Sequence, residues 1–246
     1  MSRVVCWFSC GAASAVAAKL AIAKYGEVVI AYTEVVNEHP DNKRFLADCE
    51  QWFGQKIVIL RNERYGGDIR EVFRKRKFLV SPRGAPCTDL LKRQMRVFFE
   101  EEDDTQIFGF TMEEKHRANR LTARNEYLKA DFLLIEKQLS KTDCLAMIER
   151  AGIKLPEMYR LGYRNNNCIG CVKGGAGYWN KIRRDFPRQF VERACDERMV
   201  GHSILRRPDG TPLFLDELPT TMGIDVPEQD IECSFFCHMA EQEITA

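Results

Sequence analysis

The chain lacks any run of eighteen apolar residues, and its first residues lack the basic start and apolar stretch of a secretion signal. The first absence excludes a helix of the usual membrane-spanning type, and together they predict a cytoplasmic protein with no membrane partner. Charge of one sign is not in excess, with 37 Lys and Arg against 36 Asp and Glu. A net +1 neither requires nor excludes nucleic acid, because cations act through clustering rather than through their total. Two common phosphate-binding signatures are missing. No Lys-Ser or Lys-Thr pair follows a second glycine, and no third glycine completes a dinucleotide fingerprint. Without a secretion signal, the ten cysteines are expected as free thiols, metal ligands or cluster ligands rather than as disulfides.

What is present is an ordinary globular composition, 45% apolar and 30% charged over 246 residues. That is enough for one large domain, or for one domain with an appendage. The beginning of the chain organises the rest. Residues 4–8, Val-Val-Cys-Trp-Phe, have the length and β-branched content of a buried strand. The small residues Ser9, Cys10, Gly11, Ala12, Ala13 and Ser14 follow, and then helical spacing through Val16, Leu20 and Ala23. Strand, tight turn and helix make a cradle for an anion: Gly11 and the alanines admit backbone N–H groups, and Ser9 and Ser14 add hydroxyls at the positive end of the helix. A small-residue turn packed for steric reasons has the same spacing, and the motif alone does not separate the two.

Residues 28–32 read as a second strand that leads into Thr33 and Asn37, polar positions beyond a strand end where open α/β sheets place ligands. A helix over 41–53 and a strand over 56–60 continue the alternation. Cations then cluster over 70–77, and Cys87-Thr88 is followed by Lys92 and Arg93. Such clusters suit a polyanion or a solvated helix face. A strand over 105–110 ends at Gly109 and Phe110, and Glu114 and Arg117 share one helix face beyond it. A strand over 131–135 and a helix over 140–151, started by Thr142 and Asp143, complete a nucleotide-binding unit of residues 1–154. From residue 155 to 246 the strand signals stop. A Cys168-Ile-Gly-Cys171 knuckle appears, and Cys233 and Cys237 follow near the C-terminus. Four thiolates at Cys168, Cys171, Cys233 and Cys237 would satisfy zinc or an iron–sulfur cluster, with Cys87 as a competing ligand. Cys6, Cys49, Cys144 and Cys195 are expected as buried small apolar residues.

The Ser9-x-Gly11-x-x-Ser14 loop and the features after it, in their order from Ser9 to Cys171, resemble the PP-loop of the adenine nucleotide alpha hydrolase superfamily. The nearer resemblance is to its phosphoadenosine phosphosulfate (PAPS) reductase-like branch. It implies a Rossmann-like α/β fold: an open, mainly parallel sheet with helices on both faces, and a small cysteine-bearing C-terminal appendage packed over the site. The implied nucleotide-binding residues are Ser9 to Ser14, Thr33, Asn37, Gly109 and Phe110. Ser9, Ser14, Glu114, Arg117 and Cys233 are the implied catalytic residues.

The implied cofactors are ATP or a sulfonucleotide, Mg²⁺, and a [4Fe-4S] cluster with Zn²⁺ as the alternative. Cys87 stands 81 residues before Cys168, the spacing of the ligands in cluster-bearing adenylylsulfate reductases, but Thr88 occupies the place of their second cysteine. The implied activity is ATP pyrophosphatase chemistry, adenylation of a substrate, coupled to sulfur transfer onto tRNA or DNA. Two alternatives stand beside it: a PAPS or adenylylsulfate reductase releasing sulfite through Cys233, and a non-catalytic nucleotide- or nucleic-acid-binding module with structural zinc. Ala13 stands where many ATP pyrophosphatases carry Asp. The oligomeric state is left open, and a homodimer is compatible with it.

Overall fold

The structure is a computed structural model and describes residues 2–224, 231 and 233–245. The chain runs through β1 (Val4–Phe8), α1 (Ala12–Tyr25), β2 (Val29–Thr33), α2 (Asn42–Phe53), β3 (Val58–Leu60) and α3 (Ile69–Arg76). It continues through α4 (Pro86–Thr88), a π-helical turn (Asp89–Arg93) and α5 (Gln94–Phe99), which follow one another without a break, to β4 (Thr105–Phe108), α6 (Lys115–Arg124), β5 (Lys129–Asp131) and α7 (Leu133–Glu136). Beyond these lie α8 (Lys141–Arg150), α9 (Glu157–Arg160), α10 (Ala176–Asp185), α11 (Pro187–Val200), the hairpin β6 (Leu205–Arg206) and β7 (Pro212–Leu213), and α12 (Phe235–Thr245).

The five long-range strands form one parallel sheet in the order β3-β2-β1-β4-β5. The alternation of side chains along β1 fixes which helices cover each face. Val4, Cys6 and Phe8 point into a core completed by α1, α2 and α8. Trp7 points the other way, donates from Nε1 to Gln106 Oε1 at 2.9 Å, and meets Phe99 of α5 edge-on at 6.0 Å. Helices therefore cover both faces, and the fold is α/β as expected. The connections after β1 and β4 run to opposite sides of the sheet, which opens a crevice at the carboxyl ends of these two strands.

The last strand differs from expectation. β5 ends at Asp131, and Leu133 and Leu134 lie on a helical turn, fully buried beside α1. An apolar run this short fits a strand or a buried helical turn equally well. The helix after it starts as a capping box: Asp143 N donates to Ser140 Oγ at 3.1 Å, and Ser140 N donates to the Asp143 carboxylate at 2.9 Å. Cys195 is exposed on α11, unlike the buried Cys6, Cys49 and Cys144. Its place on a solvent-facing turn overrides the general tendency of cysteine to be buried.

The described residues beyond 154 are wound into the packing of the sheet domain. Val172 and Cys168 pack with Val35, Tyr65 and α3, and Trp179, Ile182 and Phe190 gather α10 and α11 into a third cluster. Cys237 and Ala240 return α12 to the first core. No helix among the described residues is long and apolar enough to cross a membrane.

Within the third layer, Glu197 is fully buried, and its carboxylate accepts backbone N–H bonds from Ile204 at 2.5 Å and Leu215 at 2.6 Å. Burial outweighs those donors and pushes its pKa up to about 7. The folded chain thus holds a proton that the unfolded chain releases near 4.5, so this group adds stability at pH 5 and loses that contribution as pH rises through about 7. Glu197→Gln should therefore lag the native chain in urea midpoint more at pH 5 than at pH 8. A gap that is constant across this range contradicts the assignment.

Candidate functional site

The site forms where β1 ends. Ser9 is exposed, Cys10 takes a left-handed φ of 59°, and Gly11 caps α1. Ser14, in the first turn of α1, ties the loop shut. Its Oγ accepts from Ser9 N at 3.0 Å and Ser9 Oγ at 3.1 Å, and donates to Gly11 O at 2.9 Å. The hydroxyl pair expected as free donors is thus partly spent on shaping the turn. The N–H groups of Ala12 and Ala13 have no intrahelical acceptor by position.

Two approaches make the loop tight. A Cβ on Gly109 would lie 2.7 Å from Ser14 Cα, so the end of β4 presses directly against the start of α1. A Cβ on Gly11 would lie 3.1 Å from Tyr159 Oη, which covers the loop from the C-terminal region. Phe110, just beyond, stacks on Phe108 and Phe132, each with centroids 5.9 Å away. The Arg117 guanidinium lies 4.8 Å from the Phe110 ring and pairs with Glu114. That pair is half open to solvent, with 52% of the Arg117 side chain exposed.

The loop after β2 is held from several directions. Thr33 is buried in register with Leu60. Asn37, expected beside a nucleotide, has its side chain engaged within the chain: Oδ1 accepts from Ile69 N at 2.9 Å, and Nδ2 donates to Asp68 Oδ1 at 3.0 Å. Its carbonyl accepts from Ile169 N at 2.9 Å and so docks the knuckle onto this loop. Asn166 docks it onto the first loop, donating to Cys10 O at 2.6 Å and Asn42 Oδ1 at 2.8 Å. Asn166 Oδ1 is buried without a partner.

Between the two loops lies a buried carboxylate that the motifs did not single out. Glu38 is 7% exposed and accepts from Tyr32 Oη at 2.8 Å, Asn42 Nδ2 at 3.0 Å and Lys92 Nζ at 3.0 Å. Burial works against the Lys92 charge. Glu38 and the nearby Cys168 and Cys171 thiols outweigh it and hold the ammonium well above its ordinary pKa. Burial likewise pushes Cys168 up to about 12, against the pull of Lys92, and raises Cys87, on which Cys171 also acts. Tyr178 Oη closes the knuckle, accepting from Cys171 N at 2.9 Å.

Cys87, Cys168 and Cys171 thus share one electrostatic neighbourhood, while Cys233 and Cys237 lie elsewhere. They are paired as a disulfide at the start of α12, where a separation of four residues places their Cα atoms 5.7 Å apart. This corrects both the expectation of free thiols and the joining of these two cysteines to Cys168 and Cys171 in one ligand set. α12 packs on α1 and α8, so its cysteines meet Asp143 and Arg150 instead of the knuckle. Asp143, Cys233 and Cys237 are, among the described residues, the group whose possible ligand atoms all lie within 4.8 Å of one another. Glu232, the residue before Cys233, lies outside the described residues.

No family model matches the chain. Over 195 residues, 74% of this chain, it is 24% identical to an uncharacterized protein of Methanocaldococcus jannaschii. The match covers 38% of that protein, so the chain spans well under half the length of this relative.

The electrostatics of the pocket give a measurable consequence. In chain freed of metal by chelator, Glu38→Gln removes a charge that holds the Cys168 thiol up, and Lys92→Met removes one that pulls it down. Alkylation of Cys168 by iodoacetamide at pH 8, followed by peptide mass spectrometry, should be faster than native in the first variant and slower in the second. Equal rates would mean that Glu38 and Lys92 do not act on the thiol.

Proposed function

We propose that the protein is an adenine-nucleotide-dependent enzyme that adenylates a substrate and moves sulfur onto nucleic acid. The observation that carries this reading is the Asn166–Cys10 hydrogen bond, which docks the thiol-bearing knuckle onto the loop of Ser9 to Ser14. An enzyme that couples nucleotide cleavage to sulfur chemistry needs both within reach of one substrate. The resemblance of the Ser9 to Ser14 loop to PP-loops supports adenine nucleotide as the ligand.

In this mechanism a substrate oxygen attacks the α-phosphorus of ATP. The new bond joins that oxygen to phosphorus, the bond from the α-phosphorus to the bridging oxygen breaks, and pyrophosphate leaves carrying the electron pair. The N–H groups at the start of α1 take up the growing charge on the pyrophosphate, and Mg²⁺ bound with the nucleotide would share it. Gly109 leaves room at the crevice floor, and Phe110 with Arg117 borders the nucleotide. A sulfur nucleophile then displaces AMP.

The donor set suits an iron–sulfur cluster better than a single zinc. Ligands of one tetrahedral zinc at about 2.3 Å each lie roughly 4 Å apart, and Cys87, Cys168 and Cys171 do not form so tight a group. A cluster spreads its thiolates over several metals, so its ligands need not converge on one point. When bound, the cluster would supply an iron able to carry sulfide. The chain's own residues anchor it through the three thiols, balance their charge through Lys92, and fix Lys92 through Glu38.

The test is release of pyrophosphate from ATP and Mg²⁺ in the presence of a nucleic-acid acceptor. Gly109→Val, which drives a side chain into the start of α1, should lower the rate about hundredfold or more by displacing the anion-binding amides, while folding is checked by its melting curve. Sulfite release from PAPS in place of pyrophosphate release from ATP would replace this reading by the reductase. No turnover of either nucleotide would leave a binding module.

A further inference from the structure

Helix α6 leaves the crevice end of β4 and runs down the flank of the sheet, yet it buries a single residue, Ala118. Its sequence Lys115-His116-Arg117-Ala118-Asn119-Arg120-Leu121-Thr122-Ala123-Arg124 contains no acid. Arg117, Arg120 and Arg124, spaced by three and four residues, fall on one stripe about 10 Å long. Arg117 pairs with Glu114. Lys115, Arg120 and Arg124 are exposed and make no ion pair or hydrogen bond among the described residues. Unpaired arginines along a helix that contributes almost nothing to the core leave a positive stripe open to an external anion.

A second observation lies just past the end of α6. A surface hollow is lined by Arg93, Val97, Phe98, Asn125 and Tyr127. Phe98 is 77% exposed and Tyr127 is 64% exposed. Two aromatic faces left in water beside a basic stripe are the two parts of a single-strand binding surface: cations track phosphates, and rings stack bases. Of the nearby acids, Glu101 and Asp104 pair with Arg3, Glu100 with Arg96 and Asp103 with Lys129, while Glu126, exposed beside Tyr127, is in no ion pair among the described residues.

We propose that α6 and the Phe98–Tyr127 hollow form a track for single-stranded nucleic acid, with successive phosphates on Arg117, Arg120 and Arg124 and bases on the two rings. The choice of partner rests on the nucleic-acid acceptor in the function proposed above. The upper end of the track begins at Gly109 and Phe110, so a strand lying on it leads into the crevice.

The experiment is fluorescence anisotropy of a labelled 20-nucleotide single-stranded RNA titrated with the full chain from 50 to 300 mM KCl. Arg120→Ala with Arg124→Ala should weaken binding about tenfold at 100 mM and flatten the salt slope by about 1.4, at roughly 0.7 per released phosphate contact. Phe98→Ala with Tyr127→Ala should weaken it about tenfold or more while leaving the slope unchanged, since stacking releases no counterions. Arg74→Ala with Arg76→Ala, a cationic pair on α3, should bind as the native chain does. All these side chains are on the surface, so melting curves should coincide.

Native-like binding in the first two variants, or an equal loss in the α3 variant, overturns the track. So does a change in sedimentation coefficient without a change in RNA binding in the Phe98 and Tyr127 variant, which would make this face a contact between copies of the chain. Pyrophosphate release is read separately. RNA binding lost in the two variants while the native chain turns over no ATP sinks the adenylation step and keeps the track. Turnover with unaltered RNA binding sinks the track alone.

Discussion

A carboxylate taken out of water must find charge and donors to replace it, and Glu38 imposes that condition on a strand end, a helix start and a turn 54 residues away. Tyr32 at the end of β2, Asn42 at the start of α2 and Lys92 on the π-helical turn all converge on its two oxygens. Removing any of them leaves a buried charge short of a partner, so the ends of β2 and α2 and the helix carrying Cys87 are positioned together. Lys92, held this way, stands next to Cys168 and Cys171 as a fixed positive charge. The thiols therefore take their electrostatics from a cation on the π-helical turn that is fixed by a carboxylate in the loop after β2.

The anion loop is built by a different constraint, closeness. Gly109 allows β4 to touch the first turn of α1, and Ser14 folds the loop onto itself through its hydroxyl. The strand order puts this contact at the crevice beyond β1 and β4, where α/β sheets offer helix N-termini and loop amides to ligands. Asn166 then joins the two constraints, since one amide reaches both the carbonyl of Cys10 and the side chain of Asn42.

The alternation of short apolar runs with helical spacing made the β-α-β order of the first 110 residues legible, because side-chain period and strand length agree there. It misjudged residues 131–135, where an apolar run served a buried helical turn. The Ser9 to Ser14 loop stood out as small residues between a strand and a helix, a pattern that a tightly packed turn shares with an anion cradle. Glu38 and Lys92 did not stand out as a pair, since 54 residues separate them and no spacing rule links them. Asn166 lay beside the knuckle as one of three asparagines, with nothing to mark which would reach Cys10. The cysteine grouping failed for a related reason. Spacing identifies a knuckle but says nothing about where a terminal helix will dock, and α12 took Cys233 and Cys237 to Asp143.

The proposed function depends on Cys87, Cys168 and Cys171 together holding one metal cluster near the loop of Ser9 to Ser14. Iron and acid-labile sulfide content after anaerobic purification tests it most directly, measured on the native chain and on single Cys→Ser variants at 87, 168, 171, 233 and 237. The account predicts a brown native protein, loss of iron in the first three variants, and retention in the last two. Iron kept in the first three and lost at 233 and 237, or a colourless native protein holding zinc, would contradict it.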